Sequence, residues 1–317
     1  MKLKTFFLFL ALCALSAAPS NAQIRKPAKP EKSAMLQALV DRAASETIAK
    51  FAAKNFKAEN LAVTLIDLRD AKNAKIASFR GAEKIYPASV VKLFYLAATH
   101  QWLENGKIKD TPELQRALRD MIVVSSNDAT QFVVDVLTDT ASGAELAPAA
   151  LDEFARKRNA VNRYFAALGY ENINVCQKTY CEDAYGREQQ FRGKNGENRN
   201  KLTTDATAQL LAAIATENAV TPARSRQMME LLKRDFNGES KDPDDQAHGF
   251  TGIALPPTAR LWSKAGWTSA TRHDAAYVET AEGQKFVLVV FTENFATERE
   301  IIPAVARVVL ENIGKIK

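Results

Sequence analysis

The chain has 317 residues, 46% of them hydrophobic and 25% charged, and a formal net charge of +6 at pH 7. This composition is typical of a globular protein with one large domain or two small ones. Because the basic residues are interspersed with acidic ones, the mild positive charge gives no reason to expect a nucleic-acid partner.

The first residues have the pattern of a secretory signal. Lys2 and Lys4 supply positive charge, residues 6–18 ("FFLFLALCALSAA") are apolar, and "SNA" offers small residues for cleavage near Ala22. We predict removal of residues 1–22, which takes away two lysines and no acid and so lowers the net charge from +6 to +4. The mature protein is then periplasmic or secreted, and no later run is long and apolar enough to span a membrane.

The predicted domain begins with a helix and a hairpin. Residues 23–34 form a linker rich in Pro and Lys, and the domain is expected to cover 35–317. Apolar residues at helical spacing predict a first helix over 35–56. The alternating sequence "LAVTLIDL" (61–68) predicts a strand, and "AKIASFRG" (74–81) can form its hairpin partner.

The middle of the chain is predicted to be helical. One helix contains "YPASVVKLFYLAATH" (86–100), and Gly106 is suited to end it. Thr111 and Pro112 are the residue types favoured as the cap and first position of the next helix. Residues 171–201 are polar and indicate a long functional or mobile loop. Further helices are predicted at 127–139, 148–170, 203–216 and 221–235.

The C-terminal part returns to strands. They are predicted at 259–266, 273–280 and 284–293, before a last helix at 298–313. The fold class is therefore α+β: one antiparallel sheet built from both chain ends and flanked by the terminal helices, with an all-helical subdomain inserted. The sheet part is assigned to 35–98 and 245–317, and the helical part to 99–244.

Two cysteines remain in the mature chain, within "CQKTYC". In an oxidising compartment Cys176 and Cys181 could form a small local disulfide, or they could be two free thiols. Zinc is not expected, because the chain has only three histidines and none lies near these cysteines. The sequence predicts no metal and no cofactor.

Ser89 and Lys92 form an S-x-x-K pair at the start of a predicted helix. Residues three apart lie on one helix face, so the amine can reach the hydroxyl. A serine hydroxyl needs an adjacent base to act as a nucleophile, and a desolvated lysine can be neutral enough to be that base. The alternative is that Ser89 caps the helix and Lys92 lies at the surface.

Two further short motifs follow in the chain. Ser125 and Asn127 are two residues apart, where a helix gives way to a loop, so both side chains could face one cleft, or they could merely cap a helix. Lys264 and Gly266 lie on a predicted strand, where glycine lets a ligand approach the backbone and lysine can bind a carboxylate. A second K-x-G at 194–196 lies in the polar loop without a strand.

Taken in order, S-x-x-K, S-x-N and K-x-G resemble the motifs of class A β-lactamases and penicillin-binding acyl-serine transferases, from about residue 35 to the end. The resemblance implies a β-lactamase/transpeptidase-like fold with Ser89 as the nucleophile and Lys92 as its base. It implies that Ser125 passes a proton to the leaving nitrogen, that Asn127 orients Lys92 and the substrate, and that Lys264 anchors a carboxylate.

The same resemblance implies substrate contacts at the end of the third motif. Gly266 and Trp267 belong to this substrate-binding set, and backbone N–H groups of Ser89 and Trp267 would form the oxyanion hole. Ala265 departs from the family pattern, because a hydroxyl that would bind the substrate carboxylate is missing there. Trp267 places a large ring at the mouth of the cleft.

Release of the acyl group is the weakest point of the resemblance. Class A enzymes use a glutamate in an E-x-x-L-N loop motif, which this chain lacks. Glu188 in "REQQFRG" is the best substitute, and Arg192 would lie beside it and weaken it as a base. Because no better candidate is present in the sequence, we expect Glu188 to be the catalytic residue that assists the attacking water.

Three functions are compatible with these residues. We favour a serine hydrolase of the class A type that opens the β-lactam amide through an acyl-serine intermediate. A penicillin-binding D-Ala-D-Ala carboxypeptidase or an esterase could use the same site. A catalytically inactive module that binds envelope glycans is the alternative from another class. In each enzyme the substrate is a small molecule, and the protein is expected to be a monomer.

Overall fold

A computed structural model describes Lys26 and residues 28–316. The predicted signal at 1–22 lies outside the described residues. Within the described part of the chain, no helix is long and apolar enough to cross a bilayer.

The strands form a single sheet of seven. They are β1 (Glu31–Lys32), β2 (Leu61–Asp67), β3 (Lys75–Phe79), β4 (Lys233–Arg234), β5 (Arg260–Trp267), β6 (Thr271–Glu279) and β7 (Lys285–Glu293). Their order is β1-β3-β2-β7-β6-β5-β4, and all pairs are antiparallel except β1 with β3. The predicted sheet from both chain ends is confirmed, but the parallel β1 strand, which falls in the predicted linker, makes it mixed.

The helices flank this sheet and fill the middle of the chain. They are α1 (Ala34–Phe51), α2 (Lys92–Glu104), α3 (Pro112–Val123), α4 (Asn127–Thr138), α5 (Pro148–Arg158), α6 (Ala160–Ala167), α7 (Arg187–Arg192), α8 (Thr204–Ala215), α9 (Pro222–Leu232) and α10 (Ile301–Ile313). Thr111 caps α3 through its hydroxyl, with Pro112 first, as predicted. The segment 148–170 forms two helices rather than one, and the predicted end of α9 is strand β4.

The core has one layer on each side of the sheet. Alternate residues of β2 show the division: Val63 and Leu65 pack toward α1 and α10, whereas Ala62 and Ile66 face the helical part. Helix α2 is buried on every side from Lys92 to Leu103, so it is the central helix of the helical part. This burial removes the side chain of Lys92 from bulk water.

The segment 171–201 is an ordered part of the fold rather than a free loop. It contains α7, and its two ends are joined by backbone hydrogen bonds between Asn174 and Lys201. The side chain of Asn200 accepts from the backbone N–H groups of Cys176 and Gln177 at 3.0 and 2.9 Å. Because these bonds satisfy buried polar groups, they fix where the loop can approach the cleft.

Candidate active site

Ser89 lies in a single turn of 3-10 helix, Ala88–Val91, that leads directly into α2. Ser89 is partly exposed, and the residue before it, Ala88, has a φ of 45°. A positive φ is strained for any residue with a Cβ atom, and such strain is typical of functional sites. No side-chain hydrogen bond caps this turn or α2 in the described chain, so the alternative that Ser89 is a helix cap is wrong.

Lys92 is completely buried, so the alternative of a surface lysine is also wrong. Its amine donates to the backbone carbonyl of Ser125 at 2.6 Å and to Oδ1 of Asn127 at 2.9 Å. Burial disfavours the charged amine and lowers the pKa of Lys92 to about 7. A large fraction of the amine is therefore neutral near pH 7 and able to accept a proton.

Ser125 lies between two amines. Its hydroxyl oxygen is 3.2 Å from Nζ of Lys92 and 3.0 Å from Nζ of Lys264. The side chains of Ser125 and Asn127 converge on Lys92, although the backbone is not extended there: Ser125 has a φ of 59°, and Ser126 caps α4. The left-handed residue turns the chain so that both motif side chains face the cleft.

Lys264 on β5 is fully buried. Besides Ser125, its amine donates to the side-chain carbonyl of Gln246. The pKa of Lys264 lies well below its usual range. The main cause is burial of the amine, and the nearby charges of Lys92 and Arg234 add to it. The cleft thus contains several basic groups that an anionic ligand would stabilise in their charged form.

Gln246 and Arg234 are residues that the sequence did not single out. Gln246 donates to the carbonyl of Val123 at 2.9 Å while accepting from Lys264. Arg234 donates to the carbonyls of Ile122 at 3.0 Å and Ser263 at 2.8 Å. Together they join the end of α3, which leads to Ser125, to strand β5.

The end of β5 lies against the turn that contains Ser89. A Cβ atom on Gly266 would be 2.7 Å from the backbone nitrogen of Ser89 and 2.8 Å from the carbonyl of Pro87, so only glycine allows this approach. Trp267, the next residue, packs on Phe250 with ring centroids 5.6 Å apart. The two segments that carry the predicted oxyanion-hole donors are therefore in direct contact.

Glu188 lies apart from the other predicted catalytic side chains. It is 2% exposed, and its carboxylate pairs with the fully buried guanidinium of Arg158 and, at 3.2 Å, with Lys178. The hydroxyl of Tyr180 donates to the second carboxylate oxygen at 3.0 Å. We call Glu188, Arg158, Lys178 and Tyr180 the loop ion cluster.

The prediction that Arg192 is the charged partner of Glu188 is wrong. Arg192 pairs with Asp183 instead. Across residues 28–316, no hydrogen bond or ion pair joins Glu188 to Ser89 or Lys92. The cluster reaches the cleft indirectly, through the backbone carbonyl of Tyr180, which accepts from the side-chain amide of Asn127 at 3.1 Å.

The cysteines are free thiols in different environments, so the disulfide is not formed. Cys176 is buried with Phe154 and Phe191. Cys181 is exposed, and its sulfur accepts from the amide of Asn127 at 3.7 Å. Besides the carbonyl of Tyr180, a thiol of the loop therefore contacts the asparagine that binds Lys92, which the sequence did not indicate.

This arrangement can perform nucleophilic chemistry on an acyl group. It has a partly exposed serine on a strained turn, a buried amine of lowered pKa one turn away, and a second hydroxyl between two amines. Ala265 is buried and supplies no hydroxyl to the cleft. Among the described residues, no group of three or more His, Cys, Asp or Glu side chains could hold a metal ion.

Comparisons with known proteins agree with this fold. The β-lactamase enzyme family has a model that matches residues 43–313. A β-lactamase from Sphaerobacter thermophilus is 18% identical over 88% of this chain and 98% of its own, with a TM-score of 0.61. A mutant of PBP-A, in an acyl-enzyme complex with penicillin G, is 17% identical over 91% of this chain and 100% of its own, with a TM-score of 0.63.

A β-lactamase from Chitinophaga pinensis is 16% identical over 86% of this chain and 99% of its own, with a TM-score of 0.61. At such identities the structures show the fold alone, and they confirm the predicted β-lactamase/transpeptidase-like architecture. No curated protein matches the sequence.

Proposed function

The chain belongs to the β-lactamase enzyme family, and we propose that it opens the amide bond of β-lactams by acylation of Ser89 and releases the acyl group slowly. The observation that carries the proposed acylation of Ser89 is the position of the Ser125 hydroxyl between the amines of Lys92 and Lys264. The PBP-A complex with penicillin G is a structural neighbour in which an acyl-enzyme with a β-lactam forms.

Acylation uses groups that the cleft already contains. Neutral Lys92 takes the proton of Ser89 as the serine oxygen bonds to the carbonyl carbon of the lactam. For this step the amine exchanges one of its carbonyl partners for the hydroxyl of Ser89. The carbon–nitrogen bond then breaks as Ser125 gives its proton to the leaving nitrogen and recovers one from Lys92. Lys264 attracts the substrate carboxylate.

Slow release follows from the surroundings of Glu188. A general base must reach the attacking water, directly or through one hydrogen bond. The carboxylate of Glu188 is instead occupied by Arg158, Lys178 and Tyr180 inside the loop ion cluster. The loop presents Cys181 to the cleft. We therefore propose an anchoring role for Glu188 in place of the expected catalytic one.

The same observation favours a second candidate. An acyl-serine enzyme without a dedicated base for water can still act on D-Ala-D-Ala peptides or on esters, as a penicillin-binding enzyme. A glycan-binding module has less support, because binding a neutral sugar does not require a buried lysine whose pKa is lowered to about 7.

Burst kinetics with a chromogenic cephalosporin test the proposal. We expect a rapid phase of about one product per enzyme, followed by a steady phase that is ~10²- to 10⁴-fold slower, the range that a positioned general base contributes. Linear turnover without a burst at high substrate would contradict slow release. No product at all would remove β-lactams as substrates and leave peptides and esters to be tested.

A further inference from the structure

The turn before Ser89 requires contacts that hold it. Ala88 has a φ of 45°, and a strained residue persists only where its surroundings over-determine the conformation. Gly266 supports the turn from β5, where a Cβ atom would be 2.8 Å from the carbonyl of Pro87. This contact blocks movement in one direction, but it forms no bond to the turn.

A buried histidine supplies such a bond. His273 on β6 pairs with Gly266 across the sheet and is fully buried. Its Nε2 lies 2.9 Å from the backbone carbonyl of Tyr86, which comes directly before Pro87. The imidazole therefore connects the sheet to the start of the turn.

The hydrogen bonds assign the tautomer of this ring. The backbone N–H of Thr292 donates to Nδ1 of His273 at 3.1 Å, so Nδ1 is an acceptor and carries no proton. Nε2 must then carry the ring proton and donate it to the carbonyl of Tyr86. Burial lowers the pKa of His273 to about 4, which keeps the ring neutral at neutral pH. Phe291 holds the ring plane, with centroids 4.4 Å apart.

We propose that His273 is a positioning residue for the nucleophile. Its Nε2–H fixes the carbonyl of Tyr86, and through the strained turn it sets the hydroxyl and the backbone N–H of Ser89 at the end of β5. This inference rests on the proposed function for its kinetic test, but the hydrogen bond itself is independent of any substrate. A displacement of about 1 Å at a reacting group can cost ~10²-fold in rate.

Three substitutions separate the two bonds of the ring. His273→Gln keeps a donor at the position of Nε2. His273→Asn can keep an acceptor near Nδ1, but its shorter side chain places no donor at Nε2, and His273→Phe keeps neither group. His100→Gln is the matched control, because His100 is a second buried histidine, on α2, whose ring nitrogens have no hydrogen-bond partner among the described residues. Single-turnover acylation with benzylpenicillin gives the acylation rate constant and the substrate dissociation constant separately.

We expect the asparagine and phenylalanine variants to lose about 10²-fold in the acylation rate constant, with little change in the dissociation constant. His273→Gln should retain an acylation rate constant within about threefold of that of the unmodified protein. A change of about threefold is smaller than the usual effect of losing one hydrogen bond. His100→Gln should change thermal stability alone. Equal loss in the Gln and Asn variants, in proportion to lost stability, would overturn the proposal, as would full activity of His273→Phe.

Nitrogen NMR distinguishes a failure of this inference from a failure of the proposed function. The ring of His273 should show a protonated Nε2 and an unprotonated Nδ1 between pH 6 and 8, because burial lowers the pKa of this ring to about 4. The reverse tautomer would overturn the positioning role even if penicillin acylates Ser89. If benzylpenicillin does not react, the β-lactam proposal fails, and the reaction rate of Ser89 with a fluorophosphonate then compares the same variants.

Discussion

Replacing Lys92 by methionine is expected to lower the acylation rate of Ser89 by about 10²- to 10⁴-fold, the contribution of a positioned general base. Methionine fills a similar volume and adds no buried charge, but it cannot accept a proton. Stopped-flow measurement of the burst with a chromogenic cephalosporin gives the rate. The matched control is Lys84→Met, the same change at an exposed lysine close to the same turn.

The pH dependence of the acylation rate is a second test of Lys92 as the general base. Because burial lowers the pKa of Lys92 to about 7, its neutral fraction rises with pH through that value. The acylation rate should therefore rise about tenfold between pH 6 and pH 8 and then level off. This rise should be absent from the residual activity of Lys92→Met. A variant that keeps more than half of the rate would show that another group removes the proton of Ser89.

Replacing Glu188 by alanine is expected to lower the free energy of unfolding by about 3–5 kcal/mol, the cost of removing one partner from a buried ion pair. Among the described residues, the loss leaves the buried side chains of Arg158 and Lys178 with Asp135 as their one carboxylate partner, at 3.6 and 2.7 Å. Urea unfolding of this variant and of Glu171→Ala measures the difference, since Glu171 is exposed in the same loop. A loss no larger than that of the control would contradict the anchoring role.

The isosteric change Glu188→Gln separates anchoring from catalysis. If Glu188 anchors the loop, the lifetime of the acyl-enzyme in folded Glu188→Gln should stay close to that of the unmodified protein. If Glu188 activates the attacking water, the adduct should persist about 10²-fold longer or more. Intact mass measured over hours decides between these results.

Patterns within a short stretch of sequence predicted the fold well. Alternation located β2 and its hairpin partner β3, and the pair Thr111–Pro112 located the start of α3. The hydroxyl of Ser125 lies between the amines of Lys92 and Lys264, and Gly266 of the third motif lies against the backbone of Ser89. Local patterns were enough to place these motifs, because they predicted the helices and the strand that carry or adjoin Ser89, Ser125 and Lys264.

Long-range partners could not be predicted in this way. Gln246 binds Lys264, and His273 binds the carbonyl of Tyr86, across distant parts of the chain, and nothing in their local sequence marks these two residues. Arg192 was the expected partner of Glu188 because it is near in sequence, whereas the actual partners come from α5 and from Lys178. A buried charge selects its partner by three-dimensional proximity, which a single sequence does not contain.

Intact-mass spectrometry of the mature protein mixed with benzylpenicillin shows whether β-lactams acylate Ser89, with Ser89→Ala measured alongside from seconds to hours. We expect a rapidly formed adduct with the mass of the intact penicillin, located on the peptide that contains Ser89, and a slow return to free enzyme. Ser89→Ala should form no adduct. If the unmodified protein forms no adduct and hydrolyses no penicillin, or if Ser89→Ala is modified equally, acylation of Ser89 by β-lactams is wrong.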